Sequence, residues 1–92
     1  MKSAAKFTIQ GTVQGVFYRQ FTKQKADELR LTGFIRNLEN NDVEVYAEGE
    51  KEDLKKLFEL LKQGPPHSQI RNVNVEEKTW TGDFPDFRIL RF

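Results

Sequence analysis

This chain has no cysteine. Disulfide staples, thiolate nucleophiles and cysteine-based metal sites are therefore excluded. An excess of charge of one sign is missing too: fifteen lysines and arginines face fourteen aspartates and glutamates, for a net charge of +1. That balance gives no general pull toward nucleic acid or anionic membrane, so any anion must be held by a local arrangement. No apolar run approaches the length of a membrane span. The opening Met1-Lys2-Ser3-Ala4-Ala5-Lys6 leads into an alternating strand and lacks the apolar stretch of a signal peptide. The expectation is a cytoplasmic protein. Repeats, linkers and low-complexity segments are also lacking, and residues 1–92 read as a single domain with one core.

What the chain does have is periodicity. Phenylalanine, present eight times, is expected to supply much of the buried area. Ala5, Phe7 and Ile9 alternate with Lys6, Thr8 and Gln10, the pattern of a half-buried strand. A helix is predicted from about Arg19 to Leu31, with Tyr18, Thr22, Ala26 and Leu29 on one face and Gly33 as its stop. Strands are predicted over Phe34–Leu38 and Val43–Ala47, joined by the turn-rich Glu39-Asn40-Asn41-Asp42. Leu54, Leu57, Phe58 and Leu61 mark the clearest helix, ended by Gly64-Pro65-Pro66. Ile70, Val73 and Val75 suggest a strand with an irregular start, and Phe87 and Ile89 begin a last short strand reaching Phe92. The order is βαββαβ. It favours an α+β fold with an antiparallel sheet of four to five strands and two helices on one face.

The chemistry gathers in two segments. Gly11-Thr12-Val13-Gln14-Gly15-Val16-Phe17-Tyr18-Arg19 reads as a strand end, a glycine turn and a helix start. Such a turn can aim several backbone N–H groups at one anion, with the helix dipole behind them. Arg19 adds a planar cationic fork suited to phosphate oxygens. Eighteen residues later comes Asn37, in Gly33-Phe34-Ile35-Arg36-Asn37, whose amide can meet a water or a substrate oxygen. Together these suggest phosphate chemistry without a metal or a covalent nucleophile. The glycine turn is not a nucleotide P-loop, because it lacks the Gly-Lys-Ser/Thr ending. His67, the only histidine, sits beside Pro66 with no evident partner.

These two segments, followed by Val43-Glu44-Val45 and Gly49, resemble the acylphosphatase family, and the resemblance covers nearly the whole chain. It implies a ferredoxin-like fold and hydrolysis of acyl phosphates to a carboxylate and inorganic phosphate, with no cofactor and no metal. By matching position it implies that Gln14, Gly15, Val16, Phe17, Tyr18 and Arg19 cradle the phosphoryl group. Arg19 would be the phosphate-binding side chain, and Asn37 would hold the attacking water. The implied partners are a small-molecule acyl phosphate and the phosphate product, with no nucleic acid and no membrane, on a monomer. Two residues depart from the family pattern. Asn40-Asn41-Asp42 stands where Asp-Gly is usual, and Tyr18 stands where Phe is usual, so a hydroxyl needs a partner.

Two other classes stay open at this point. One is a module that binds a phosphorylated ligand without turnover, or regulates a partner. The other is an RNA-binding ferredoxin-like module, which would want aromatics on the exposed sheet face and basic surroundings. The candidate strands instead carry Thr8, Gln10, Asn72 and Asn74 on their polar faces.

Overall fold

The computed structural model describes residues 1–12 and 17–91, with the backbone alone described at Thr12. Its elements are β1 (Lys2–Thr12), α1 (Tyr18–Glu28), β2 (Thr32–Asn37), β3 (Val43–Glu50), α2 (Lys51–Gln63), β4 (Gln69–Lys78) and β5 (Phe87–Ile89). Alternation along the strands puts Ala5, Phe7 and Ile9 of β1, Ile35 of β2, and Val43, Val45 and Ala47 of β3 on one face of the sheet. There they meet Tyr18 and Ala26 of α1 and Leu54, Leu57 and Leu61 of α2, all buried. This is the expected βαββαβ sandwich with both helices on one face.

The strand order is β4-β1-β3-β2-β5. β1 runs antiparallel to both β3 and β4, and β2 runs antiparallel to β3. β5 joins β2 in parallel, so the sheet is mixed rather than wholly antiparallel. The reason lies in the path after β4. That strand ends level with the start of β1, and the chain then crosses to the far edge before turning back. β5 therefore opposes β4 in direction but lands beside β2, which already runs that way.

Element ends differ in instructive places. α1 is ended by Arg30, at φ 58°, whereas Gly33 lies inside β2. The Leu31 N–H reaches back to the Ala26 carbonyl at 2.9 Å, a wrap in which Arg30 takes the left-handed place that a glycine commonly fills. Gly33 is needed for a different reason. At φ 138° its missing Cβ would fall on the Tyr46 backbone of β3. In the turn before β3, Asn41 adopts φ 71°, so asparagine supplies the left-handed angle where the family pattern has glycine. Asn40 supports it: its Oδ1 accepts the Asp42 N–H at 3.1 Å.

The face of the sheet away from the helices is closed by a buried carboxylate. Glu48 is 1% exposed. It accepts hydrogen bonds from the Tyr46 hydroxyl, from the Thr81 N–H at 3.1 Å and hydroxyl at 2.8 Å, and from the Gly82 N–H at 3.0 Å. Phe34, Tyr46 and Phe84 pack beside it, with ring centroids 5.2–6.1 Å apart. Burial works against the charge of Glu48, but the Tyr46 and Thr81 hydroxyls and the two N–H donors outweigh it and hold its carboxyl below the ordinary value. Burial first, and then this same carboxylate, push the Tyr46 hydroxyl up to about 12.

A carboxyl depressed in the folded state contributes stability that is complete above its unfolded value, 4.5 here, and is lost as pH falls through the lower folded one. Glu48→Gln would set an amide N–H₂ among donors. It is expected to cost about 2–3 kcal/mol at pH 7, the scale of hydrogen bonds to a charged group. Urea unfolding of both proteins at pH 7 and at pH 3 is the check. The gap should narrow in acid, and a gap independent of pH would refute this account of the Glu48 contacts.

Candidate active site

The register of three strands determines where the site lies. Ile9 of β1 pairs with Val43 of β3, and Val43 pairs with Asn37 of β2, so the three form one row across the sheet. β1 and β2 both run antiparallel to β3 and so finish at the same end of the sheet. α1 links those two strands and packs on β2 and β5. It must therefore start at the end where β1 stops and run back over the sheet. Its N-terminus thus opens at the end of β2 where Asn37 sits. Asn37 also shares the helix-side face, because it lies two residues beyond the fully buried Ile35.

Of the predicted cradle, Gln14, Gly15 and Val16 lie outside the described residues; Phe17, Tyr18 and Arg19 are described. Phe17 occupies the N-cap position of α1 in a left-handed conformation, φ 61° and ψ 26°, and its side chain makes no capping hydrogen bond. The first turn of α1 carries no acidic residue. Arg19 is half-buried and makes no ion pair or hydrogen bond with another described residue. A helix N-terminus with its partial positive charge, joined by a guanidinium without a partner among the described residues, is an arrangement suited to an anion.

Asn37 carries the complementary feature. Its Oδ1 is buried and has no hydrogen-bond partner among the described residues. Such orphans are uncommon because a buried, unsatisfied oxygen costs about 1–3 kcal/mol. Residues 36–40, Asn37 among them, line a surface hollow of about 550 Å³. Arg36 is drawn to the other face, where its Nε donates to Glu44 Oε1 at 2.6 Å. The two neighbours therefore have separate tasks.

Tyr18, whose hydroxyl needs a partner, finds it on the other helix. The Tyr18 ring is buried, and its hydroxyl donates to the Leu61 carbonyl of α2 at 2.8 Å. That carbonyl is one of the last four of α2, which lack partners within the helix. Tyr18 therefore caps one helix while starting the other. Burial raises its phenol well above the ordinary tyrosine range, so it stays a donor. No periodicity signals this contact, which joins residues 43 apart. Tyr18→Phe leaves the Leu61 carbonyl without its donor and is expected to lower stability by about 1–2 kcal/mol. Urea midpoints of the two proteins measure this, and equal midpoints would mean that the cap contributes nothing.

Among the described residues no group of three or more His, Cys, Asp or Glu side chains could hold a metal ion. Comparison with known proteins agrees with the geometry. The family model described as Acylphosphatase matches residues 5–89. An acylphosphatase of Acaryochloris marina is 48% identical over 86 residues, which span 94% of this chain and 91% of that one. The structure of an acylphosphatase from Coxiella burnetii superposes with a TM-score of 0.91 at 43% identity, covering 97% of this chain and 93% of that one. The crystal structure of acylphosphatase from Bacillus subtilis gives a TM-score of 0.93 at 31% identity, covering 99% and 100% respectively.

Proposed function

The chain belongs to the acylphosphatase family, and from that footing we propose that Arg19, Asn37 and the backbone of residues 14–19 carry its hydrolysis of acyl phosphates. The observation that carries this reading is the buried Oδ1 of Asn37, without a partner among the described residues, on the sheet face and at the sheet end where α1 opens with Arg19. The phosphoryl group sits at the N-terminus of α1, with its oxygens on the guanidinium and the turn amides. Asn37 holds a water in line with the bond to be broken. The water oxygen forms a bond to phosphorus, the bond from phosphorus to the acyl oxygen breaks, and its electron pair leaves on the carboxylate. The water's proton leaves with the phosphate product or passes to solvent.

The demands of the reaction match this sparse equipment. A carboxylate is a good leaving group and needs little acid catalysis. What remains is to position the water and stabilise charge on the phosphoryl oxygens. One guanidinium and several preorganised amides can supply that. The substrate is a small molecule, and the product phosphate binds at the same place. No helix among the described residues is long and apolar enough to cross a membrane. We place the enzyme in the cytoplasm as a monomer.

Arg19 and Asn37 should fail differently. Arg19→Ala removes a charge-assisted contact to the phosphoryl group in both ground and transition states, so turnover falls and phosphate inhibition weakens. Arg19→Lys restores little, because a point charge does not reproduce the planar fork. Asn37→Ala keeps phosphate inhibition, while kcat falls about a hundredfold or more, the scale of losing one preorganised polar group. Circular dichroism confirms folding of each variant. Near-normal kcat in Asn37→Ala, or loss of phosphate binding as severe as in Arg19→Ala, would overturn this division of roles.

Turnover of benzoyl phosphate is also expected to persist in excess EDTA, since the phosphoryl charge is met by Arg19 and amides. Loss of activity with chelator and recovery with Mg²⁺ or Zn²⁺ would refute that assignment.

A further inference from the structure

Phe17 breaks three local preferences at one position. It holds φ 61°, a left-handed angle that residues other than Gly, Asn and Asp avoid. It occupies the helix N-cap, where Ser, Thr, Asp and Asn are favoured. Its large apolar side chain is 77% exposed. Asparagine would satisfy all three preferences. Conflicts concentrated in this way are expected where function overrides folding.

Part of the conflict follows from the function proposed above. A capping side chain would occupy the very N–H groups of the first turn that the phosphoryl oxygens need. That explains why the residue does not cap, but glycine or alanine would leave those groups equally free. The aromatic ring is the part unaccounted for. The other large, strongly exposed apolar side chains among the described residues are Met1, Val75 and Trp80. Met1 opens the chain before β1, at the far end of that strand from the site. Val75 is on edge strand β4 opposite Phe7, and Trp80 packs against Gly82 with Lys2 Nζ 5.3 Å from its ring. Phe17 alone among them stands at the end of the sheet where β1 and β2 finish.

The chemistry leaves room for such a ring. The departing carboxylate takes the electron pair and needs no proton, so no acid is required on the acyl side. Nothing there needs a polar handle, and an apolar body is what can distinguish one acyl group from another. We propose that the Phe17 ring is a platform for the acyl group, making aryl and other bulky apolar acyl phosphates better substrates than short ones such as acetyl phosphate. The inference rests on the proposed function and extends it by naming the substrate class. The ring is exposed, and the α1 hydrogen bond from the Phe21 N–H to the Phe17 carbonyl, 3.0 Å, ties the residue's backbone to the helix.

The test is the ratio of kcat/KM for benzoyl phosphate to kcat/KM for acetyl phosphate. Any disturbance of the cradle backbone acts on both substrates and cancels in the ratio. Phe17→Tyr keeps a ring and should keep the ratio. Phe17→Asn removes the ring and suits the left-handed angle. It should lower the ratio roughly three- to tenfold, the scale of one aromatic contact, and raise the Tm by a few degrees through relief of backbone strain. Phe17→Gly also tolerates φ 61° and should lower the ratio similarly. An unchanged ratio in folded Phe17→Asn or Phe17→Gly overturns the platform. Failure of the unsubstituted enzyme to hydrolyse either substrate would instead overturn the proposed function, and the platform with it.

Discussion

The row Ile9–Val43–Asn37 is the constraint on which the rest depends. It places the ends of β1 and β2 side by side with one strand between them, and the helix joining those strands must then begin above Asn37. The hydrophobic pattern holds the row in place. Ile35, Val43 and Val45 are fully buried on the same face. A slip of one residue in β2 would move Ile35 to the open face and bring Arg36 toward the core. The cost of burying Arg36 therefore protects the aim of Asn37. The side chain of Asn37, whose Oδ1 has no partner among the described residues, is oriented by the apolar neighbours of its strand.

The two ends of the molecule follow different rules. At the end where β3 finishes, the Tyr46, Thr81 and Gly82 donors converge on Glu48, and aromatic rings shield the knot. At the other end stand a left-handed phenylalanine that makes no side-chain cap, and an arginine and a buried amide oxygen without partners among the described residues. The left-handed angle and a buried oxygen without a partner each cost free energy. The Tyr18–Leu61 hydrogen bond belongs to this second end. It ties the costly first turn of α1 to the end of α2, which the Leu54, Leu57 and Leu61 stripe anchors in the core.

The fold was legible because its signals are periodic. Alternation in β1 and β3 and the leucine stripe of α2 gave the element order and the buried faces. The positions of Arg19 and Asn37 were legible only as a pair, since an arginine at a helix start or an asparagine at a strand end is ordinary alone. The rest depended on contacts between distant residues. Nothing in the sequence marks Glu48 as buried, because three of its four donors lie 33 and 34 residues away, on Thr81 and Gly82. The parallel placement of β5 depends on where the chain crosses after β4, and a strand of three residues carries no direction of its own. Gly33 carries the sign of a helix stop, because glycine commonly has that role, yet the close Tyr46 backbone is what requires it.

The costs at the open end also bear on how a domain of this size performs phosphoryl chemistry. An anion at the start of α1 would meet the dipole, the free N–H groups and Arg19 together, and a water on Asn37 would satisfy its oxygen. Under the function proposed above, these are the groups that an acyl phosphate would satisfy. Preorganisation of this kind is effective because the donors are already aimed and need not be gathered from water during the reaction. It also explains why the site can be built from so few side chains. Backbone and helix supply most of the field, and the fold positions both through one row of paired residues.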